Sequence, residues 1–112
     1  MSYNSIEEQS VKLNNLVYEI TSKIPSCDNS KKQLLRACTS IGANKAEAKY
    51  AESCADLVHK LKISLKECAE TKYWLETLLV LPQSPKDSIK KAINICGSIE
   101  RKLVESLKTA QK

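Results

Sequence analysis

Residues 54–81 read CADLVHKLKISLKECAETKYWLETLLVL, a run without glycine or proline. Leu57, Leu61, Leu65, Cys68, Leu75 and Leu79 recur along it at intervals of three, four or seven, which places them on one stripe of a helix. At 1.5 Å per residue such a helix is about 40 Å long, so it dictates the length of whatever packs against it.

Working outward, each neighbouring stretch carries its own helical punctuation. Ser5 and Glu8 have capping-box spacing, and Ile6, Leu13, Leu16, Val17, Ile20 and Ile24 form one apolar side, stopped by Pro25. The turn Ser26–Ser30 offers several N-cap candidates for a second helix. On that helix Leu34, Leu35, Cys38, Ile41 and Gly42 face inward, and Gly42 permits close approach by a neighbour. Ser53 and Asp56 are placed to cap the long helix. After the break at Leu81–Pro85, Ser84 reads as an N-cap, Pro85 as the first helical residue and Asp87 as a first-turn carboxylate. Ile89, Ala92, Ile93, Cys96, Ile99, Leu103 and Leu107 then share one side. Helices are expected near 5–24, 30–49, 53–81 and 85–109. With connections this short, the fold class is all-α, an antiparallel up-down-up-down four-helix bundle forming one domain over residues 1–112.

Composition agrees: 112 residues hold two Gly, three Pro and no Phe, the profile of a helical domain. The N-terminus MSYNSIEEQ is polar and no run of 18 apolar residues occurs, so neither a signal peptide nor a membrane span is expected, and the expected compartment is the cytoplasm. Five cysteines show no C-x-x-C pair. Cys38, Cys54, Cys68 and Cys96 fall on apolar stripes, which reads as reduced core thiols, with no metal and no cofactor. No catalytic residue is expected either. His59 lies off the stripe of the long helix, and Glu67 and Glu70 read as exposed carboxylates matched by Lys62, Lys66 and Lys72.

Three features stand apart. Lys45 falls in the middle of the second helix's apolar stripe, nearly in line with Cys38. Its ammonium is expected to snorkel to solvent or to meet Glu8 or Glu100. Ile63 and Trp74, eleven residues apart, share a strip well off the core line. Together with the small and polar face Ser40, Ala43, Asn44 and Glu47 they form a candidate subunit or partner interface; the other reading is that Trp74 folds over a bundle edge. Finally, Lys31, Lys32, Arg36, Lys45, Lys49, Lys60, Lys62 and Lys66 gather on the middle helices of a chain with net charge +5. That is either a surface for a phosphate backbone or a solvated face interleaved with Glu. No aromatic interleaving for base stacking is evident.

The stretch LRACTSIGANKAEA (35–48), with R-A-x-x-S-I-x-x-N at 36–44 and A-E at 46–47, and the E-T-x-Y-W-L at 70–75 resemble the bacterial four-helix-bundle proteins encoded in 23S rRNA intervening sequences. The resemblance runs over almost the whole chain. It implies the same bundle and, from relatives, a ring-like homopentamer. A related bundle, the accessory variability determinant protein of diversity-generating retroelements, binds a reverse transcriptase and nucleic acid through a basic surface. Lys45 departs from the aliphatic residue usual in the family, and Ala48 from a frequent Gly. The expected function is a non-enzymatic homo-oligomeric scaffold with RNA or DNA as partner. Its nucleic-acid surface would be Lys31, Lys32, Arg36, Lys49, Lys60, Lys62 and Lys66. The alternative is an adaptor that binds protein and no nucleic acid.

Overall fold

The computed structural model describes residues 5–112, and the described residues form four helices and no strand. They are α1 (Ile6–Ser22), α2 (Asp28–Ala48), α3 (Cys54–Leu79) and α4 (Lys86–Ala110). Each packs on its neighbours in sequence, and α1 closes the square against α4, while the diagonal pairs do not meet. This is the antiparallel bundle expected. The long axis is 46 Å, a length set by the 26 residues of α3.

The caps explain where the helices begin and end. Ser5 accepts from the Glu8 backbone N–H at 3.0 Å and Glu8 returns the bond to the Ser5 backbone N–H, a closed capping box. Ser53 accepts from Asp56 N–H in the same way at the head of α3. Two caps differ from expectation. The cap of α2 is Cys27 in the left-handed region (φ 60°), with no side-chain bond to the helix's first N–H groups, so the helix starts two residues earlier than the turn residues suggest. At α4, Ser84 is no N-cap. Its hydroxyl turns back to donate to the carbonyls of Leu79 and Leu81, so Pro85 is left as the cap residue. Lys86 donates to the same two carbonyls, and Lys31 donates to the Ile24 carbonyl at 2.6 Å. In both places a lysine of the next helix satisfies carbonyls at or just beyond the end of the preceding one.

The core follows the apolar stripes of α1, α2 and α4 closely: Leu13, Val17, Ile20, Leu34, Ile41, Ile89, Ile99 and Leu103 are wholly buried. On α3 the stripe is rotated. Leu57, Leu65 and Leu79 are only half-buried, while Ser64, Glu67 and Thr71 are buried beside Leu61, Cys68, Leu75 and Leu78. On α2, Leu35 likewise sits at the rim of the core while Ala37 is enclosed. Burial of these small and polar groups is affordable because each finds a partner: Ser64 donates to the Ile41 carbonyl at 2.7 Å and Thr71 to the Glu67 carbonyl at 2.7 Å. Cys54, in contrast, is exposed and lies against the Ala110 carbonyl, whereas Cys38, Cys68 and Cys96 are core residues.

Gly42 does what its position predicts. A Cβ there would stand 2.3 Å from Ser10 Oγ and 3.0 Å from Ser10 Cβ, so α1 and α2 meet at van der Waals limits. Gly42→Ala is expected to lower stability by about 1–3 kcal/mol, the range for overpacking a close contact. Ser10→Gly in the same chain should restore much of it. Thermal or urea melts of the single and double variants check this, and an unaltered single variant would contradict the close packing.

Candidate interface on the second and third helices

The six residues expected at an interface come from two helices, α2 and α3, which pack on each other along a seam. Glu47 accepts from Lys60 Nζ at 2.7 Å near one end of the seam. Arg36 reaches across the seam further along, its Nη1 3.3 Å from Glu67 Oε1 and its Nη2 bonded to Glu70 Oε2. Ile63 stands one turn from both Lys60 and Glu67 on α3, and Ala43 and Asn44 stand one turn from Glu47 on α2. Ser40 and Asn44 form a chain along α2: Ser40 Oγ donates to the Arg36 carbonyl at 2.8 Å, and Asn44 Nδ2 donates to the Ser40 carbonyl at 2.9 Å. Trp74 Nε1 donates to Glu70 Oε2 at 3.1 Å, and its ring meets Tyr73 edge-on with centroids 4.9 Å apart. Trp74 is half-buried against the core, Ile63 is half-buried, and Ala43 and Glu47 are exposed.

The carboxylates are not the exposed, lysine-matched pair expected from spacing alone. Glu67 keeps only 11% of its side chain exposed, and both Glu67 and Glu70 belong to Arg36. A buried carboxylate needs a fixed partner, and a guanidinium fork reaching two acids supplies one. The Arg36 fork and, second, the Trp74 N–H hold the Glu70 carboxyl below its ordinary range, while Glu70 raises Arg36 in turn.

The basic residues divide. Lys31 sits 3.4 Å from Asp28, Arg36 is clasped as described, and Lys60 is bonded to Glu47. Lys45 and Lys49 both approach Glu7 Oε2, at 3.1 and 3.3 Å. Lys45 therefore pairs with Glu7, not with Glu8 or Glu100. Glu8 is committed to the capping box, and Glu100 sits on α4, diagonally across the bundle. Burial pushes the Glu7 carboxyl up, but its own backbone N–H and the two ammoniums outweigh that and hold it low. Lys32, Lys62 and Lys66 are exposed and reach no carboxylate within ion-pair distance. Tyr73, 59% exposed, lies seven residues from Lys66 on the same outward strip of α3, an aromatic that pattern reading passed over.

Chemistry is sparse. His59 is exposed, and among the described residues no group of three His, Cys, Asp or Glu side chains is placed to hold a metal. Burial pushes the Cys38 thiol up to about 12. Cys96, a free thiol beside the Cys68 thiol, which donates to the Cys96 carbonyl, is pushed up by that neighbour and by burial. Both are thiols rather than nucleophilic thiolates at neutral pH. No described helix is long and apolar enough to cross a membrane.

Compared with known proteins, residues 4–105 match the model of the 23S rRNA-intervening sequence protein family. The chain belongs to that family. A similar solved structure is a protein of unknown function from the S23 ribosomal protein family of Bacteroides thetaiotaomicron, 32% identical, with a TM-score of 0.83, covering 93% of this chain and 99% of the other. No curated protein matches. The two motifs on which the family resemblance rests are thus partners in space. Arg36, Ser40 and Asn44 of the first line one side of the seam, and Glu70 and Trp74 of the second line the other.

The sign of the Glu70 shift makes a pH prediction. A carboxyl depressed in the folded state stabilises the fold at every pH above its ordinary value of 4.5, and that contribution is lost as pH falls through its lowered folded value. Melting temperature should be nearly flat from neutrality to about pH 5 and fall below it. In Glu70→Gln the neutral-pH melting temperature should drop and the acid limb become shallower; an acid limb identical to that of the parent would refute the clasp.

Proposed function

We propose that the protein is a non-enzymatic homo-oligomeric scaffold that associates through the α2–α3 face and binds RNA through lysines outside it. The observation that carries this reading is how charge is distributed on the two middle helices. On the seam the charges answer one another, Arg36 with Glu67 and Glu70 and Lys60 with Glu47. A face whose charges are already paired costs less to desolvate against a second copy. It also presents Ile63, Ala43 and the half-exposed edge of Trp74, residue types that supply apolar contact. Lys32, Lys62 and Lys66 form no ion pair, and a chain of net charge +5 multiplies that charge with each added subunit. A ring of five, the state implied by the family resemblance, is the favoured assembly. RNA is preferred to DNA because the family takes its name from ribosomal RNA.

Light scattering at micromolar concentration should give a multiple of the monomer mass. Ala43→Arg and Ile63→Asp should return it towards the monomer with melting temperature little changed. Structured RNA should bind at ~50 mM salt and lose orders of magnitude in affinity by ~200 mM, the signature of several phosphate contacts. Reversing Lys62 and Lys66 to Glu should abolish binding with assembly intact, whereas reversing Lys60 should act through its Glu47 pair. A monomer that binds no RNA at the lower salt would overturn the proposal. An oligomer that binds none would leave the protein-binding adaptor.

A further inference from the structure

Lys45 is the residue that the bundle itself does not call for. A lysine in an apolar stripe adds nothing to a core, and its stem and ammonium must be accommodated. The fold places it at the end of the bundle where α2 and α4 finish and α1 and α3 begin. There it forms part of the wall of a cleft of about 470 Å³, within the range of small-molecule sites. Leu57, Leu61 and Ala48 form the apolar side of this cleft, the last two being members of the core. Lys45 and Lys49 stand together on one rim, and α4 supplies the Ser106 hydroxyl to the lining.

The charge on that rim is unbalanced. One oxygen of Glu7 serves both ammoniums, so one positive charge has no carboxylate of its own. Glu105, also lining the cleft, lies 3.8 Å from Lys108 of its own helix, so the local surplus stays positive. Lys49 is 59% exposed at its side chain and free to swing towards an incoming anion.

We propose that this cleft binds a small anionic amphiphile, a single carboxylate on a compact apolar body, with the carboxylate between Lys45, Lys49 and Ser106 and the apolar part on Leu57 and Leu61. A neutral ligand leaves the surplus charge unanswered, and a cation adds to it. A bare phosphodiester strand has nothing to lay on the aliphatic wall. The site lies at the end of the bundle, away from the middle of the α2–α3 seam, and does not depend on the protein's binding RNA.

The test uses the full chain, titrated with decanoate, decanol and decylamine below their aggregation concentrations and followed by amide chemical shifts and calorimetry. Decanoate should bind about tenfold or more tighter than decanol, which corresponds to roughly 1.4 kcal/mol, and decylamine should bind weakest. Shifts should centre on Ala48, Leu57, Leu61 and Ser106. Lys45→Met and Lys49→Gln should each lower decanoate affinity several-fold and leave decanol unaffected. In each variant the other lysine still answers Glu7, so melting temperature should hold, and Lys49→Gln, at an exposed position, guards against a folding defect in the first. No binding of decanoate, equal binding of decanoate and decanol, or shifts centred elsewhere would overturn the assignment.

Discussion

A buried carboxylate governs the middle of this molecule. Glu67 lies on the α2-facing side of α3 with little of its side chain exposed, and a charge so placed is tolerated only with a fixed counter-charge. Arg36 is that counter-charge, and it reaches both Glu67 and Glu70 because its five donors lie in a rigid fork. Given this pairing, the rotation of α3 about its own axis is largely determined. Ser64 comes to rest against the Ile41 carbonyl, Thr71 turns back on Glu67, and Trp74 donates to the same Glu70 oxygen that Arg36 holds. Leu57, Leu65 and Leu79 are carried to the edge of the core as a consequence.

The same logic, with looser geometry, holds the ends of the bundle. Carbonyls just past α1 and at the end of α3 are met by Lys31 and Lys86 from the following helices. The first turn of α1 offers Glu7 to the last turn of α2. Lysines that read as one basic field in the sequence are therefore doing different things. Some complete helix ends, some neutralise acids across a seam, and only Lys32, Lys62 and Lys66 among them form no ion pair, Lys66 still lying near enough to Glu70 to favour its charge. Counting lysines along a chain overstates the charge available to an external phosphate.

Membership of the 23S rRNA-intervening sequence protein family gains a physical meaning from this arrangement. The arginine motif of α2 and the glutamate–tryptophan motif of α3 are two halves of one clasp. Residues that build a clasp on an outward seam serve the monomer's own packing and also shape what a second molecule meets. Trp74 shows both at once, with one side against the core and its N–H on Glu70, and an edge left at the surface.

What the sequence by itself determined was the number, order and approximate extent of the helices, their antiparallel order, the Ser5–Glu8 and Ser53 caps and the close approach at Gly42. These are local or periodic properties, and apolar residues at a period of 3.6 report them directly. The polar half of the α2–α3 contact was decided by tertiary structure. Ser64, Glu67 and Thr71 carry no apolar signal, so periodicity alone assigned α3 a stripe rotated from the real one and left Glu67 in solvent. Identifying the Arg36 clasp requires knowing which helices are adjacent and in what register, as does pairing Lys45 with Glu7 instead of Glu8 or Glu100. Ser84 illustrates the same limit on a shorter scale: a hydroxyl can cap the helix ahead or close the one behind, and the path of the chain through Leu79–Pro85 decides which. Charges and hydroxyls act on whatever lies within a few ångströms, and that neighbourhood exists only once the chain has folded.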